Sequence, residues 1–344
     1  MDRTLVITGS YPPEVCGVGD YTRNVMEAPS ARGWALYHRQ QWSLASLRQI
    51  ICEIDARNPS EIFMQYPTQG FGWSLVPHLL CLYYSLFTRV RFTVVLHEFS
   101  QLSRKANLAA RLLLLSADQI IFTNEFERQA AAKLWAPVRS RSRTVKIVSN
   151  IPVSDAAEGG REGRPLDLVY FGHVRPKKGL EAFLDAVREL RAVRPDSRIA
   201  LIGQCPSGFE SYTGPLLERC SALGMELMLE MPSDQVARAL AQTKLVYLPF
   251  PDGISERRGT ALAAMANGAV LLTTVGDHTT PELAEAVPVV SVGAAPTAVA
   301  ARLQELMALQ DDERSALCDR ARTYLRRHLP QSWDDVARAY VQRA

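Results

Sequence analysis

Short apolar runs rich in β-branched residues alternate with longer segments of helical period along the whole chain. That alternation limits the fold more than any other feature. In the first half the runs are TLVITG, EIFMQYP, FTVVLHEF, QIIFTN and VKIVSN; in the second they are DLVYFGHV, RIALIGQ, ELMLEM, LVYLPF, AVLLTT and VPVVSV. Near-continuous apolar strands are buried on both faces, which is the signature of parallel sheets with helical crossovers. LEAFLDAVREL shows the helical partner, with Leu180, Phe183, Leu184 and Val187 recurring at i, i+3, i+4 and i+7. Between the two sets lies SDAAEGGREGRP (154–165), polar and glycine-rich, with the composition of a linker. The chain is therefore expected to be α/β, with two Rossmann-like doubly wound domains, 1–155 and 156–330. Facing one another, they would gather strand C-termini and helix N-termini along a central cleft.

With 344 residues, 47% hydrophobic and 22% charged, the chain reads as globular. Its net charge of +3 is unevenly spread: residues 1–155 hold 17 Lys and Arg against 12 Asp and Glu. RSRSRTVK (139–146) carries much of the excess and reads either as a solvated loop or as attraction to an anionic surface or acceptor. Six scattered cysteines without CxxC spacing argue against a zinc site or disulfide framework and suit a reducing cytosol. The N-terminus runs straight into a strand, without signal-peptide regions. LVPHLLCLYYSLF (75–87) is too short to span a bilayer and reads as a buried helix, with an interfacial role as the alternative.

Four stretches carry chemistry. In GSYPPEVCGVGDYTRNV, Gly17 and Gly19 lie between a strand and a helix entered through Asp20 as N-cap, a setting for close ligand approach. LHEFS places His97 and Glu98 at a sheet's C-terminal edge. In YFGHVRPKKGLEAFL, Gly172 ends a strand and His173, Arg175, Lys177 and Lys178 crowd the loop before a helix start, which favours a phosphate site. ISERRGTALAAMANG puts Arg257 and Arg258 at the positive end of a helix, where an anion is expected. Backbone amides near Arg258, Gly259 and Thr260 would hold its oxygens. The bland alternative has both arginines pointing to water or pairing with Glu256.

Taken together, YPPEVCGVGDYTRNV, FGHVRPKKGLEAFLDA, YLPFPDGISERRGTALAAMANGAVLLTT and the terminal SWDDVARAYVQ resemble glycosyltransferase family 4, whose fold is GT-B. The resemblance covers nearly the whole chain and keeps the motifs in order. It implies transfer of a hexose-type sugar from a nucleotide diphosphate sugar (UDP- or GDP-linked) to a hydroxyl acceptor. Anomeric configuration would be retained and no metal or other cofactor bound. The back domain would hold the donor and the front domain the acceptor, with a tail helix at about 331–344 crossing back onto the front domain.

By the same resemblance Lys178 contacts the donor diphosphate, Gly17 and Gly19 approach it, and His97 reaches the transferred sugar. Gly172, His173, Arg175, Arg257, Gly259 and Thr260 complete the donor site, and Arg258 and Glu256 join His97 and Lys178 as catalytic candidates. Asp20, Tyr21, Glu98 and Asn124 are the acceptor-binding candidates. The family's paired glutamates, with seven residues between them, fall on Ser255 and Ala263, so the branch is divergent and a ribose-binding carboxylate is missing. The acceptor class is a glycan, lipid-linked or small molecule, with no nucleic acid. The localisation expected is cytoplasmic, with peripheral membrane contact through the basic front domain. A catalytically weak nucleotide-sugar binding protein or partner subunit, and a GT-B sugar-nucleotide epimerase, are the alternatives.

Overall fold

The computed structural model describes residues 3–100, 102, 104–155 and 164–342. They form two compact units, one of residues 1–148 with 330–344 and one of residues 149–329. In the first, strands β1 (Thr4–Thr8), β2 (Ala35–His38), β3 (Glu61–Tyr66), β4 (Arg91–Leu96), β5 (Gln119–Phe122) and β6 (Ser142–Thr144) make a sheet in the order β2-β1-β3-β4-β5-β6. Helices α1 (Gly17–Glu27), α2 (Leu47–Asp55), α3 (Val76–Phe87), α4 (Arg104–Ser116) and α5 (Glu125–Leu134) fall between the strands.

In the second unit β7 (Leu166–His173), β8 (Ile199–Gln204), β9 (Glu226–Leu229), β10 (Thr243–Leu248), β11 (Val270–Val275) and β12 (Val289–Ser291) run in the order β12-β11-β10-β7-β8-β9. Its helices are α6 (Leu180–Val193), α7 (Glu210–Ala222), α8 (Ser233–Ala241), α9 (Gly259–Ala266), α10 (Pro281–Ala286), α11 (Pro296–Met307) and α12 (Asp311–His328). α13 (Trp333–Val341) returns to the first unit. Both sheets are parallel throughout.

Alternation along the strands sends apolar side chains to both faces of the first sheet. Leu5, Ile7, Met64, Val94 and Leu96 pack with Ile50, Leu80, Tyr84 and Leu113 from α2, α3 and α4. Val6, Phe63, Val95 and Ile121 face the other way, against Tyr21 and Val25 of α1 and Val336, Ala337 and Tyr340 of α13. Each fully buried Val, Leu, Ile, Met or Phe side chain among them contributes about 1.5–3 kcal/mol. The second unit closes around one continuous core.

The structure departs from expectation at four places. β2 is an edge strand of four residues in which only Tyr37 is buried, too short a pattern to announce itself. VKIVSN is not a strand: β6 lies just before it, and Val145 N–H donates to Phe122 O (2.8 Å) as the last bond beyond the ladder. The division between units falls seven residues before the expected boundary at 155, because Ser149 Oγ bonds Gly259 O and Asn267 holds Ser154 N and Pro152 O. Of the expected linker, residues 156–163 lie outside the described residues.

The fourth departure concerns RSRSRTVK, whose arginines serve helix ends. Arg141 donates to Leu114 O and Ala117 O at the end of α4, and Arg143 to Ala339 O and Tyr340 O at the end of α13. The segment 75–87 forms α3, buried along one side but with Leu86 and Phe87 exposed. Among the described residues no helix is long and apolar enough to cross a membrane.

Asn267 is wholly buried and satisfies Ser154 N, Pro152 O and Ala263 O together. Asn267→Ala removes the side-chain bonds to Ser154 N and Pro152 O at a wholly buried position, while Ala263 O keeps the backbone amide of residue 267. It is expected to lower the unfolding free energy of the second unit by about 1–3 kcal/mol in denaturant titrations.

Candidate functional site

In an open parallel sheet ligands bind beyond the strand C-termini where the strand order reverses. In the second unit that point lies between β7 and β10, from which the chain winds outward in both directions. The loop after β7 carries the candidate cations. Lys177 (φ +63°) and Gly179 (φ +85°) turn it sharply into α6. Gly179 lies so close to Pro249 O that a Cβ could not fit, which presses this loop onto the one leaving β10. Tyr170 hydroxyl donates to Lys178 O (3.0 Å) and fixes the turn from below. Gly172 lies within β7 beside Tyr170. His173 ends the strand half-buried. Burial first, then the charges of Lys178 and Arg175, push its imidazole down to about 4 against the opposing hydrogen bond of Gln204.

The loop leaving β10 is pinned by the turn after β11. Ile254 N donates to Thr274 O (2.8 Å), Thr274 Oγ1 to Phe250 O (2.6 Å) and Thr279 Oγ1 to Ile254 O (2.8 Å). Gly253 (φ +83°) abuts Gly276. Within this frame Asp252 pairs with both arginines: its carboxylate meets Arg257 Nη2 at 3.3 Å and also Arg258 Nη2. The two arginine side chains are only 8% and 11% exposed, and the Arg258 guanidinium lies 4.7 Å over the Phe250 ring.

The arginines thus do not point to water, and Asp252 is an internal anion that both of them meet. Two of the expected anion-binding amides are also engaged in the turn, Arg258 N with Ser255 O and Gly259 N with Arg257 O. Gly259 and Thr260 open α9 and are half-buried. Glu256 is buried and accepts from Tyr324 hydroxyl of α12 (2.7 Å), a contact that braces the loop against that helix. Ala263 is wholly enclosed in the apolar core, so a carboxylate there would be a buried charge.

In the first unit the reversal lies between β1 and β3. Ser10 Oγ accepts from Gly70 N (2.7 Å); a Cβ on Gly70 would strike Gly9 O, and one on Gly9 would strike Thr68 and Phe71. α1 starts at Gly17, not at Asp20: Cys16 is the N-cap, and Asp20 sits in the first turn with its amide on Cys16 O and its carboxylate 3.6 Å from Arg23. Burial raises the Asp20 carboxyl. A Cβ on Gly17 would meet nothing, whereas Gly19 is packed on Ser10.

His97, just past β4, is 8% exposed; its amide bonds Tyr66 O (2.8 Å) and burial pushes its imidazole down to about 3. Glu98 is exposed. Tyr21 is not a surface contact: it is buried, with its hydroxyl 2.8 Å from that of Tyr340. Asn124 caps α5, its Oδ1 accepting from Glu127 N (2.9 Å), while its buried Nδ2 has no hydrogen-bond partner among the described residues. Glu127, wholly buried, accepts from Phe99 N, Ser100 N and Ser100 Oγ, and so fixes the loop that carries His97.

Residues 165–309 match the sequence family described as Glycosyl transferases group 1. No curated protein matches the chain in sequence. Among solved structures, HepE from Anabaena in complex with UDP and glucose is 11% identical with a TM-score of 0.71, covering 98% of each chain. Sucrose-phosphate synthase from Thermosynechococcus elongatus is 16% identical with a TM-score of 0.72, covering 98% of this chain and 97% of that one. A glycosyltransferase from Rickettsia africae is 11% identical with a TM-score of 0.72, covering 99% of this chain and 97% of the other. The fold is GT-B.

Within its second GT-B unit the loops after β7 and β10 bring Lys178, Arg175, His173 and Arg258 around Tyr170, which feels both Arg175 and Arg258. Sequence reasoning missed Asp252, Tyr324, Gln65 and Tyr340. Only Asp252 had a local signal, an aspartate five and six residues ahead of paired arginines in PFPDGISERR.

His97 and His173 both titrate lower in the fold than the ordinary value of 6.5. Between those values the unfolded chain binds more protons, so their stabilisation is complete above about pH 6.5 and is lost as pH falls toward 4 and then 3. The unfolding free energy is expected to drop by about 1.4 kcal/mol per pH unit for each histidine in this window. His173→Gln should flatten the second unit's share, measured by denaturant titration from pH 7 to 4.

Proposed function

We propose that this protein is a retaining glycosyltransferase of family 4 that moves a hexose from a nucleotide diphosphate sugar to a hydroxyl acceptor without a metal ion. The observation that carries this reading is the cationic reversal point of the second unit, inside the segment matched by Glycosyl transferases group 1. Cleaving a glycosyl–phosphate bond builds positive charge on the sugar and negative charge on the departing diphosphate. Lys178 and Arg258 neutralise that leaving group, with Arg175, Arg257 and the start of α9 at Gly259 and Thr260 as further donors. His173, held neutral between Lys178 and Arg175, offers a hydrogen bond rather than a third charge. Gly172 lets the loop leave the strand beside the ligand. The UDP and glucose bound to HepE support UDP-sugar as the first donor to test, with GDP-sugar next.

The first unit takes the acceptor in this proposal, with Gly17 and Gly19 approaching the donor phosphates and sugar, His97 contacting the sugar, and Asp20 and Glu98 available to acceptor hydroxyls. Lipid-linked acceptors gain support from the exposed face of α4, where Lys105, Leu108, Arg111 and Leu115 mix basic and apolar groups suited to an anionic bilayer at the cytoplasmic side.

The test is a thermal-shift panel of UDP, GDP, ADP and dTDP. Ligand at a hundred times its dissociation constant stabilises by about 2.7 kcal/mol, and UDP is expected to give the largest shift. Lys178→Ala and Arg258→Ala are each expected to cut turnover by about a hundredfold or more, with cooperative unfolding retained. No shift with any nucleotide, or near-parental turnover in both variants, would reject the proposal.

A further inference from the structure

The ring of His97 stands at one end of a buried polar chain that starts on the C-terminal helix. Its Nε2 lies 2.9 Å from Gln65 Oε1, Gln65 Nε2 lies 3.4 Å from Tyr340 hydroxyl, and the hydroxyls of Tyr340 and Tyr21 are 2.8 Å apart. Each of the four side chains is less than a tenth exposed. Tyr21 also packs edge-on against the imidazole, with ring centroids 4.7 Å apart. Arg143 holds the carbonyls of Ala339 and Tyr340, so the end of α13 has little freedom to move the phenol away.

A carboxamide has one accepting end and one donating end. With its NH₂ on Tyr340, Gln65 turns its carbonyl toward His97, and the ring must then donate from Nε2. A neutral imidazole protonated at Nε2 keeps its lone pair on Nδ1. We propose that Gln65 and Tyr340 are positioning residues that hold His97 as the neutral Nε2–H tautomer, so that Nδ1 accepts a hydrogen bond from a sugar hydroxyl. The inference rests on the sugar-transfer reading above and adds a selectivity to it. A hydroxyl can donate to Nδ1, whereas an ionised phosphate oxygen has no proton to give.

The surroundings keep the ring uncharged. Tyr21 of α1, Gln65 of β3, Tyr340 of α13 and Thr123, whose Oγ1 bonds His97 O, face this residue, and none of them carries a negative charge at neutral pH. The Glu98 side chain is exposed, and the Glu127 carboxylate is taken up by the amides of Phe99 and Ser100 and the Ser100 hydroxyl. Burial alone pushes the imidazole down.

The experiment is long-range proton–nitrogen correlation on the full chain labelled with ¹⁵N at its six histidines, His97 being assigned by His97→Gln. The parent protein should show a protonated Nε2 and an unprotonated Nδ1 at His97, unchanged from pH 8 to 5. Tyr340→Phe keeps the ring packed on Phe63 but frees the Gln65 amide to turn over, so a second population protonated at Nδ1 should appear. Gln65→Glu places a carboxylate on Nε2 and should raise the ring's titration midpoint by two pH units or more. A parent ring protonated at Nδ1, or a ring unmoved in both variants, overturns the inference. The readout needs no donor, acceptor or turnover, so a failure of the transferase reading would show in the nucleotide panel and leave this result standing.

Discussion

A parallel sheet whose strands carry apolar side chains to both faces must be covered on both, and in the first unit that requirement reaches the end of the chain. α2, α3 and α4 cover one face; α1 shares the other with α13. Without Val336, Ala337 and Tyr340 the inner ends of Val6, Phe63 and Val95 would lose much of their cover. The same docking carries the Tyr340 hydroxyl to Gln65 and Tyr21, next to His97. A packing need and a candidate chemical function are therefore met by one side chain, its ring against Phe63 and Trp34 and its hydroxyl in the polar chain.

Charge placement follows a single logic in both units. A helix C-terminus is partly negative, and Arg141 and Arg143 sit at two of them, donating to their last carbonyls. Arg257 and Arg258 stand at the opposite kind of end, where the dipole of α9 disfavours cations. Asp252 makes that position tenable by meeting both guanidiniums, and Phe250 supplies a ring face to one of them. Both arginines are nearly buried, so removing the carboxylate would leave two poorly solvated charges beside each other. Asp252 therefore holds the cationic loop in shape before any ligand arrives.

The sheets were largely legible in the sequence because burial on both faces writes itself as continuous apolar runs; all six strands of the second unit coincide with such runs. ALYH failed to signal because an edge strand needs only one buried residue, and VKIVSN misled because Val145, Ile147 and Val148 pack against the core containing α13 without joining the ladder. The site was legible as a set of cations near helix starts, but their partners were not. Gln65 and Tyr340 are 275 residues apart, and Glu256 and Tyr324 are 68 apart. Neither pairing leaves a local pattern. Asn124 and Tyr21 show the converse: polar residues beside a strand end or at a helix start, read as ligand contacts, also have structural work, capping a helix and joining two helices.

These internal pairings set how much charge the second unit can offer a ligand. Arg175, Lys177, Lys178, Arg257 and Arg258 bring five positive charges to the loops at the β7–β10 reversal, and Asp252 and Glu256 set two negative charges among them. The net positive remainder suits the diphosphate diester of the proposed reaction. Cations fixed by such internal contacts need little reorganisation as charge develops on the leaving group of the proposed reaction. Without Asp252 the nearly buried guanidiniums of Arg257 and Arg258 would repel one another. The aspartate thus sets the shape of the cationic loop, and in the proposed reaction its place there matters as much as that of the arginines.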